Sequence, residues 1–230
     1  MEIKTYIFLI IFVIASVFTS GCILEEESEV ITEVTPEVTI STPTPFPVDS
    51  ATPTPEETET PVNEYITGWK ADGIIEDGEY ENEVTGFRDL FYIYWTSDEE
   101  FLFMGIKGKT SGWIGVGFNP TVIMKDADII IGGNKGSGGD LYIHDMYSIG
   151  TTGPNREDTA LGGTFDLLKY AGAEKSAYQT LEFSRKLDTG DKYDSGLVKG
   201  EPAKLLWALS YSDVIDLKHN AGKGTVEIIV

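Results

Sequence analysis

The chain has 230 residues, a formal net charge of −21 and a single cysteine, Cys22. Eleven acidic residues lie between positions 23 and 64, where no Lys or Arg occurs, so about half of the net charge belongs to that segment. A chain this acidic argues against nucleic acid as a partner, because phosphate contacts need clustered Lys and Arg. Since no other cysteine exists, a disulfide and a thiolate metal site are excluded from the rest of the chain.

Residues 1–22 are typical of an export signal. An apolar run from Tyr6 to Phe18 has the length of a signal-peptide core and is short for a spanning helix. The Thr-Ser-Gly-Cys sequence that follows resembles the lipobox of secreted lipoproteins, which predicts a lipid on Cys22. An uncleaved anchor that continues through Leu24 is the alternative. In either case we expect a cell-surface protein, anchored to the outside of the cytoplasmic membrane.

Residues 23–65 are predicted to form a disordered, acidic stalk. Seven of the ten prolines lie here and aromatic residues are nearly absent, so little can be buried to offset the entropy of ordering. Alternating Thr and Pro favours polyproline II geometry, which makes a semi-rigid spacer. We expect the stalk to hold the remaining residues, 66–230, away from the membrane.

Residues 66–230 have the pattern of an all-β domain. Short alternating apolar runs, rich in Ile, Val, Tyr, Phe and Trp, are separated by closely spaced turn residues, which predicts an antiparallel sandwich or barrel. Eight strands are predicted, at 89–96, 100–106, 112–118, 127–133, 140–148, 179–186, 204–210 and 224–230. The glycine-rich segment 132–139 is predicted to be a hairpin or loop. One short helical turn is expected near 164–170.

The same residues show no recognisable catalytic group. The chain has two histidines, no Gly-x-Ser-x-Gly sequence, and no pair of carboxylates that stands out as an acid and a base. Two other side chains are of interest, the thioether of Met124 and the imidazole of His219, each just before a predicted strand. On two loops at the same edge of a sandwich, they could hold a haem iron from both faces. Taken singly, such a Met is usually core filler.

From residue 92 onward the chain resembles a DOMON domain, the β-sandwich module of extracellular redox proteins. The motifs that carry the resemblance are GWIGVGFNPT (112–121), ADIIIG (127–132), DMYSIG (145–150) and TLEFSRKLDTGDKYD (180–194), followed by the Trp-Ala strand and by the His ahead of two glycines. The resemblance covers nearly the whole domain. It implies an immunoglobulin-like antiparallel β-sandwich.

The resemblance also implies a cofactor. Haem-binding members of this family hold a b-type haem between a Met after the glycine-rich strand and a His before the last strand, which here are Met124 and His219. Trp113, Ile123 and Trp207 are the expected apolar walls of that pocket, although core packing would explain them equally well. We therefore predict an electron-transfer module that is not itself an enzyme, with a redox protein or a membrane electron carrier as its partner.

Two other interpretations stay open. His144 and Met146 form a second pair, but they stand two residues apart in a strand, too close to grip opposite sides of one iron, and His144 is predicted to be an exposed strand residue. The segment 69–80 resembles the start of sugar-binding sandwich modules. A haem-free module for carbohydrate or another small ligand is therefore the alternative function, and a purely structural surface protein is a third. The aromatic candidates for stacking on sugar are Trp69, Tyr80, Tyr92 and Tyr94.

Overall fold

The computed structural model describes residues 69–85 and 87–230. The predictions of an export signal, of a lipid on Cys22 and of a stalk concern residues outside these ranges. Within the described residues, nearly all regular structure is β-strand. No helix there combines the length and the apolar composition that crossing a membrane requires.

Eleven strands are present in the described ranges. In chain order they are β1 (Asn82–Thr85), β2 (Phe91–Ser97), β3 (Phe101–Gly108), β4 (Ile114–Phe118), β5 (Asp128–Asn134), β6 (Leu141–Ser148), β7 (Asn155–Glu157), β8 (Lys169–Lys175), β9 (Tyr178–Lys186), β10 (Pro202–Leu209) and β11 (Gly222–Ile229). A 3-10 turn at Phe87–Asp89 precedes β2, and a single helical turn, α1 (Asp158–Leu161), follows β7. All eight predicted strands are therefore confirmed.

The strands form two antiparallel sheets. The first has five strands in the order β1-β2-β3-β9-β8, and the second has six in the order β11-β10-β4-β5-β6-β7. The glycine-rich segment 132–139 contains the turn of the β5–β6 hairpin, as predicted. The predicted antiparallel sandwich is confirmed.

One hydrophobic core fills the space between the two sheets. Strand β3 contributes Leu102, Met104 and Ile106 to it, because alternate residues of a strand point to the same face. From the second sheet, Ile114 and Val116 of β4 point into the same core. Each of these five side chains is at most 1% exposed, so the sandwich is held together by burial of apolar surface.

The segment 69–80, which we call the strap, covers the outer face of the five-stranded sheet. The ring of Trp69 packs edge-on against Phe103, with ring centroids 4.9 Å apart. The buried carboxylate of Glu182 accepts hydrogen bonds from the hydroxyl of Tyr80 (2.8 Å) and from the backbone N–H of Gly73 (2.7 Å). The strap is therefore fixed to the sheet by one carboxylate as well as by aromatic packing.

The helix expected near 164–170 is absent, and that prediction is wrong. Helix α1 lies earlier, at Asp158–Leu161, and Gly162 ends it with a left-handed φ of 88°. Residues 169–175 instead form β8, an edge strand paired with β9. The sequence KYAGAEK has few apolar residues, so tertiary pairing and not local preference decides its structure.

Candidate functional site on the outer face of the six-stranded sheet

A second, smaller hydrophobic cluster lies on the outer face of the six-stranded sheet. We call it the outer apolar cluster. Its buried members are Trp113, Ala127, Ile129, Ile131 and Met146, and the side chains of Met124, Tyr142, Leu206, Ala208 and Ile215 pack against them. An apolar surface outside the main core is typical of a site that a ligand or partner covers.

Cross-strand pairing defines the layout of this face, because residues directly opposite each other point to the same side of a sheet. One row across the sheet runs Leu206, Gly117, Ile129, Met146, and the next runs Ala208, Gly115, Ile131, His144. The central strand β4 therefore presents only Gly115 and Gly117 to the outside. A Cβ on Gly117 would lie 3.2 Å from Cγ1 of Ile129. The aliphatic side chains of the neighbouring strand therefore lie close beside the bare backbone of β4.

Met124 reaches this face from the loop 119–127, which we call the methionine loop. The loop turns sharply at Ile123, whose φ is 58°. As a result the Ile123 side chain is 64% exposed, whereas Met124 is partly buried against the outer apolar cluster. The backbone N–H of Asp126 donates to the carbonyl of Ser148 at 2.8 Å and ties the loop to β6. The structure therefore brings Met124 to the site and turns Ile123 away from it.

His219 belongs to the loop 210–221, which we call the histidine loop. This loop crosses the outer face, since the hydroxyl of Tyr142 on β6 donates to Oδ1 of Asp213 at 2.8 Å and Ile215 packs on the outer apolar cluster. His219 itself is partly buried. Burial is the main factor that lowers the pKa of the imidazole, and the positive charge of Lys223 lowers it further. The neutral form, which can bind a metal, is therefore favoured at pH 7.

The two loops lie at opposite ends of the sheet, and the expectation that they share one edge is wrong. Strand β10 pairs antiparallel with β4, so Leu209, the last residue before the histidine loop, lies opposite Ile114, the first residue of β4. The methionine loop instead follows Phe118, at the other end of β4. Since β4 has five residues, the loops begin about 14 Å apart along the strand. Met124 and the histidine loop thus contact one apolar face from opposite ends of the sheet.

The two tryptophans predicted to line the pocket lie on different faces. Trp113 is 4% exposed and belongs to the outer apolar cluster, and its indole N–H is buried without a hydrogen-bond partner among the described residues. Such an unmatched donor costs about 1–3 kcal/mol. Trp207 points the other way, into the core between the sheets, where its ring stacks on Phe91 with centroids 5.3 Å apart. Trp207 therefore does not line this face.

The second candidate pair lies on the same outer face. Met146 is buried in the outer apolar cluster, and His144 lies beside it, opposite Ile131. The imidazole of His144 is only 30% exposed, and its Nδ1 lies 2.5 Å from Oε1 of Glu157. Glu157 therefore fixes the orientation of the ring. The sequence had suggested a more exposed histidine, because the short strand β7 that carries Glu157 was not predicted.

The aromatic candidates for sugar stacking lie on the other sheet, beneath or within the strap. Tyr92 and Tyr94 point outward from β2, opposite Lys107 and Gly105. The indole N–H of Trp69 donates to the hydroxyl of Tyr80 at 2.9 Å, and all four rings are partly buried. Trp69 and Tyr80 thus satisfy each other's polar groups and hold the strap in place.

Sequence reasoning missed a group of buried acidic side chains at the end of the sandwich where β5 begins. One carboxylate oxygen from each of Asp128, Asp145 and Asp194 lies within 4.8 Å of the others, and the guanidinium of Arg185 contacts both Asp128 and Asp194. Asp158, at the start of α1, is also fully buried. The sequence did contain a sign of this group. Asp128 lies two residues before the core residue Ile130 in β5, so both side chains point into the sandwich.

The two packed sheets define the described part of the chain as an antiparallel β-sandwich module. The family model of the DOMON domain matches residues 88–210, which is more than half of the chain. The chain therefore belongs to the DOMON domain family, and the resemblance noted in the sequence is confirmed.

Similar proteins include much longer chains. DBH-like monooxygenase protein 1 of Mus musculus is 32% identical over 123 residues, which are 54% of this chain and 19% of that one. The protein of the same name from Homo sapiens is 28% identical over 138 residues, 59% of this chain and 21% of that one. This chain thus spans about a fifth of the length of these relatives. Among solved structures, the cytochrome domain of cellobiose dehydrogenase from Myriococcum thermophilum superposes with a TM-score of 0.43 at 15% identity, covering 60% of this chain and 73% of that one.

Proposed function

We propose that this chain is a b-type haem-binding, electron-transfer module with Met124 and His219 as axial ligands. The observation that supports the proposal most is that Met124 and the loop carrying His219 both contact one apolar face, the outer apolar cluster. The proposal requires the Met124 sulfur and the His219 imidazole to meet on that face, from loops that start at opposite ends of β4.

The composition of the face also fits the group. A thioether, a neutral imidazole and aliphatic carbons form a donor set and a lining that suit haem iron and its ring. The indole N–H of Trp113, on the same face, has no hydrogen-bond partner among the described residues.

The proposed chemistry is the transfer of single electrons. A haem held by Met and His supplies one reversible electron, offers no open coordination site and favours the ferrous state. The residues of this chain would set its surroundings. Ile129 and Ile131 exclude water from the face, and partial burial keeps His219 in its neutral, ligating form. Oxygen activation is not part of the proposal, and the monooxygenase named in the two relatives belongs to proteins of which this chain matches only about a fifth.

The proposal extends to location and partners. Residues 1–22 would direct export, a lipid on Cys22 or an uncleaved anchor would hold the chain at the membrane, and residues 23–65 would serve as a spacer. The module would then stand at the cell surface, outside the cytoplasmic membrane. Its partners would be a membrane electron carrier or a soluble redox protein on one side and an extracytoplasmic acceptor on the other.

The test is an absorption spectrum of the full chain, purified in detergent and reconstituted with haem b, in the oxidised and the reduced state. We expect sharp low-spin bands in both states. Met124→Leu should shift the oxidised spectrum toward high spin and lower the reduction potential, because the thioether no longer favours ferrous iron. His219→Gln should abolish the low-spin bands.

The chain offers matched controls on the same face. Met146→Leu and His144→Gln should leave the low-spin spectrum unchanged, because neither residue is a proposed ligand. If His144→Gln removed the bands and His219→Gln did not, the assigned ligand would be wrong. If the reconstituted wild-type chain bound no haem, the haem-free ligand-binding module would replace this proposal, and a carbohydrate screen would follow.

A further inference from the structure

The acidic side chains at the end of the sandwich form an enclosed group, which we call the buried acidic cluster. It consists of Asp128, Asp145, Asp158 and Asp194. The first three are at most 3% exposed, and the Asp194 side chain is 2% exposed. Asp128 and Asp145 point inward from the paired strands β5 and β6, whereas Asp194 comes from the loop after β9. Four carboxylates thus converge from four separate segments on one interior position.

The described residues around the buried acidic cluster carry less positive charge than negative charge. The guanidinium of Arg185 is 1% exposed, with Nη1 bound to Oδ2 of Asp128 and Nη2 3.5 Å from Oδ2 of Asp194. Its remaining described hydrogen bonds go to backbone carbonyls, of Lys186 at 3.1 Å and of Ser195 at 3.2 Å. One cation therefore faces four carboxylates. Buried charge without a counter-charge is strongly unfavourable, so the imbalance calls for a further positive group.

Several carboxylate oxygens in the cluster also lack hydrogen-bond partners among the described residues. Both oxygens of Asp158 and Oδ1 of Asp128 are buried without such a partner. The charges that act most strongly on Asp158 are those of Asp145, Asp128 and Asp194, so its side chain faces the other three. The unpartnered carboxylate of Asp158 is separate evidence for a bound ligand, because Asp158 is not one of the three aspartates whose oxygens lie within 4.8 Å of one another.

Protonation alone does not resolve this arrangement. A protonated pair of carboxyls would remove charge but would leave the oxygens without a common partner that joins the four segments. A bound cation would neutralise the excess charge and also occupy the free oxygens of Asp158 and Asp128.

We propose that the buried acidic cluster binds one divalent, oxygen-preferring cation of the calcium type. The free donor atoms are all carboxylate oxygens, which are the ligands of hard cations and not of copper or zinc sites built on His and Cys. The cation would join β5 and β6 to α1 and to the loop after β9. This inference does not rest on the proposed haem site, because no member of the cluster belongs to that face.

The first experiment measures calcium binding to the haem-free full chain after treatment with a chelator. Isothermal titration with CaCl₂ should give one site per chain, and the unfolding temperature should be higher in calcium than in EDTA. Magnesium should bind more weakly, because it demands a smaller and more regular oxygen shell. The absence of both a binding heat and a shift in unfolding temperature would overturn the proposal.

Two variants assign the site. Asp158→Asn and Asp194→Asn should each weaken calcium binding roughly 10- to 100-fold, the range seen when a metal site loses a supporting group. Asp158 makes no hydrogen bond to another described residue through its carboxylate, so its variant should keep the native far-UV circular dichroism. Asp140→Asn, which alters an exposed carboxylate in the β5–β6 turn, is the control and should bind calcium like the wild type. Calcium affinity unchanged in both cluster variants would show that the site lies elsewhere.

Discussion

At the scale of single residues, the sandwich depends on one buried guanidinium. Arg185 lies on the inner face of β9, where its neighbours of equal parity, Leu181 and Phe183, are core residues. A charged side chain in that position is stable only when it is paired and hydrogen-bonded. Arg185 is paired with Asp128 and Asp194, and its donors also satisfy two backbone carbonyls.

Replacing this guanidinium tests how much the pairing contributes. Arg185→Met should lower the free energy of unfolding by about 3–5 kcal/mol, because it leaves Asp128 and Asp194 buried without their described cation. Urea denaturation in the presence of a chelator measures the loss. Lys199→Met is the matched control, since it breaks an exposed pair with Glu99 at 3.0 Å and should change the stability little. An equally small loss in Arg185→Met would mean that the carboxylates are already neutral in the native state.

At the scale of elements, the strap shows how one carboxylate fixes a segment without regular structure. Glu182 points outward from β9, opposite Gly105, and the missing side chain at Gly105 makes room for Tyr80 and Ile75 of the strap. The carboxylate accepts from the hydroxyl of Tyr80 and from two backbone N–H groups of the strap, at Asp72 (3.1 Å) and Gly73 (2.7 Å). These three donors of the strap therefore share one acceptor, the carboxylate of Glu182 on the sheet.

Removing this acceptor should release the strap. Glu182→Leu keeps the volume of the side chain but orphans three donors, and each buried donor left without a partner costs about 1–3 kcal/mol. We expect a loss of at least about 2 kcal/mol in the free energy of unfolding, and faster hydrogen exchange at Asp72 and Gly73. Glu81→Leu, at an exposed position next to β1, should leave both measurements unchanged. Unchanged exchange at the strap in Glu182→Leu would contradict the anchoring role.

The strands and the outer face differ in how far the sequence predicts them. Regular apolar alternation predicted eight of the strands, whereas KYAGAEK in β8 has no such pattern and was not predicted, and the helical turn expected near 164–170 overlaps only its first two residues. The facing of β10 was not predictable, because KLLWAL is apolar at successive positions and either parity could point inward. Only the pairing with β4 shows that Leu206 and Ala208 face out while Trp207 faces in. Met124 and His219 were candidates from their residue types and their positions before predicted strands, and the family resemblance supplied their role as a ligand pair.

At the scale of the whole molecule, the main core and the proposed site are separate layers. The core between the sheets and the outer apolar cluster share no buried residue. We therefore expect folding not to need a ligand on the outer face. This differs from small domains that lack a sufficient core and depend on a metal or a disulfide.

The haem-free chain should consequently fold by itself. We expect a β-type far-UV circular dichroism spectrum and a single cooperative unfolding transition before haem is added. Haem should raise the midpoint of that transition without changing the spectrum in the far ultraviolet, since it binds a surface already formed. A haem-free chain without a cooperative transition would show that the outer face is part of the folding unit.

The position of the strap has a mechanical consequence. The polypeptide enters on the outer face of the five-stranded sheet, and the apolar face with its two loops belongs to the sheet on the far side. A pull applied at Trp69 would first load the strap and its anchor at Glu182. The force would then pass into the hydrogen bonds of the five-stranded sheet. The methionine and histidine loops lie outside this load path, so we expect a pull at Trp69 to leave them unloaded.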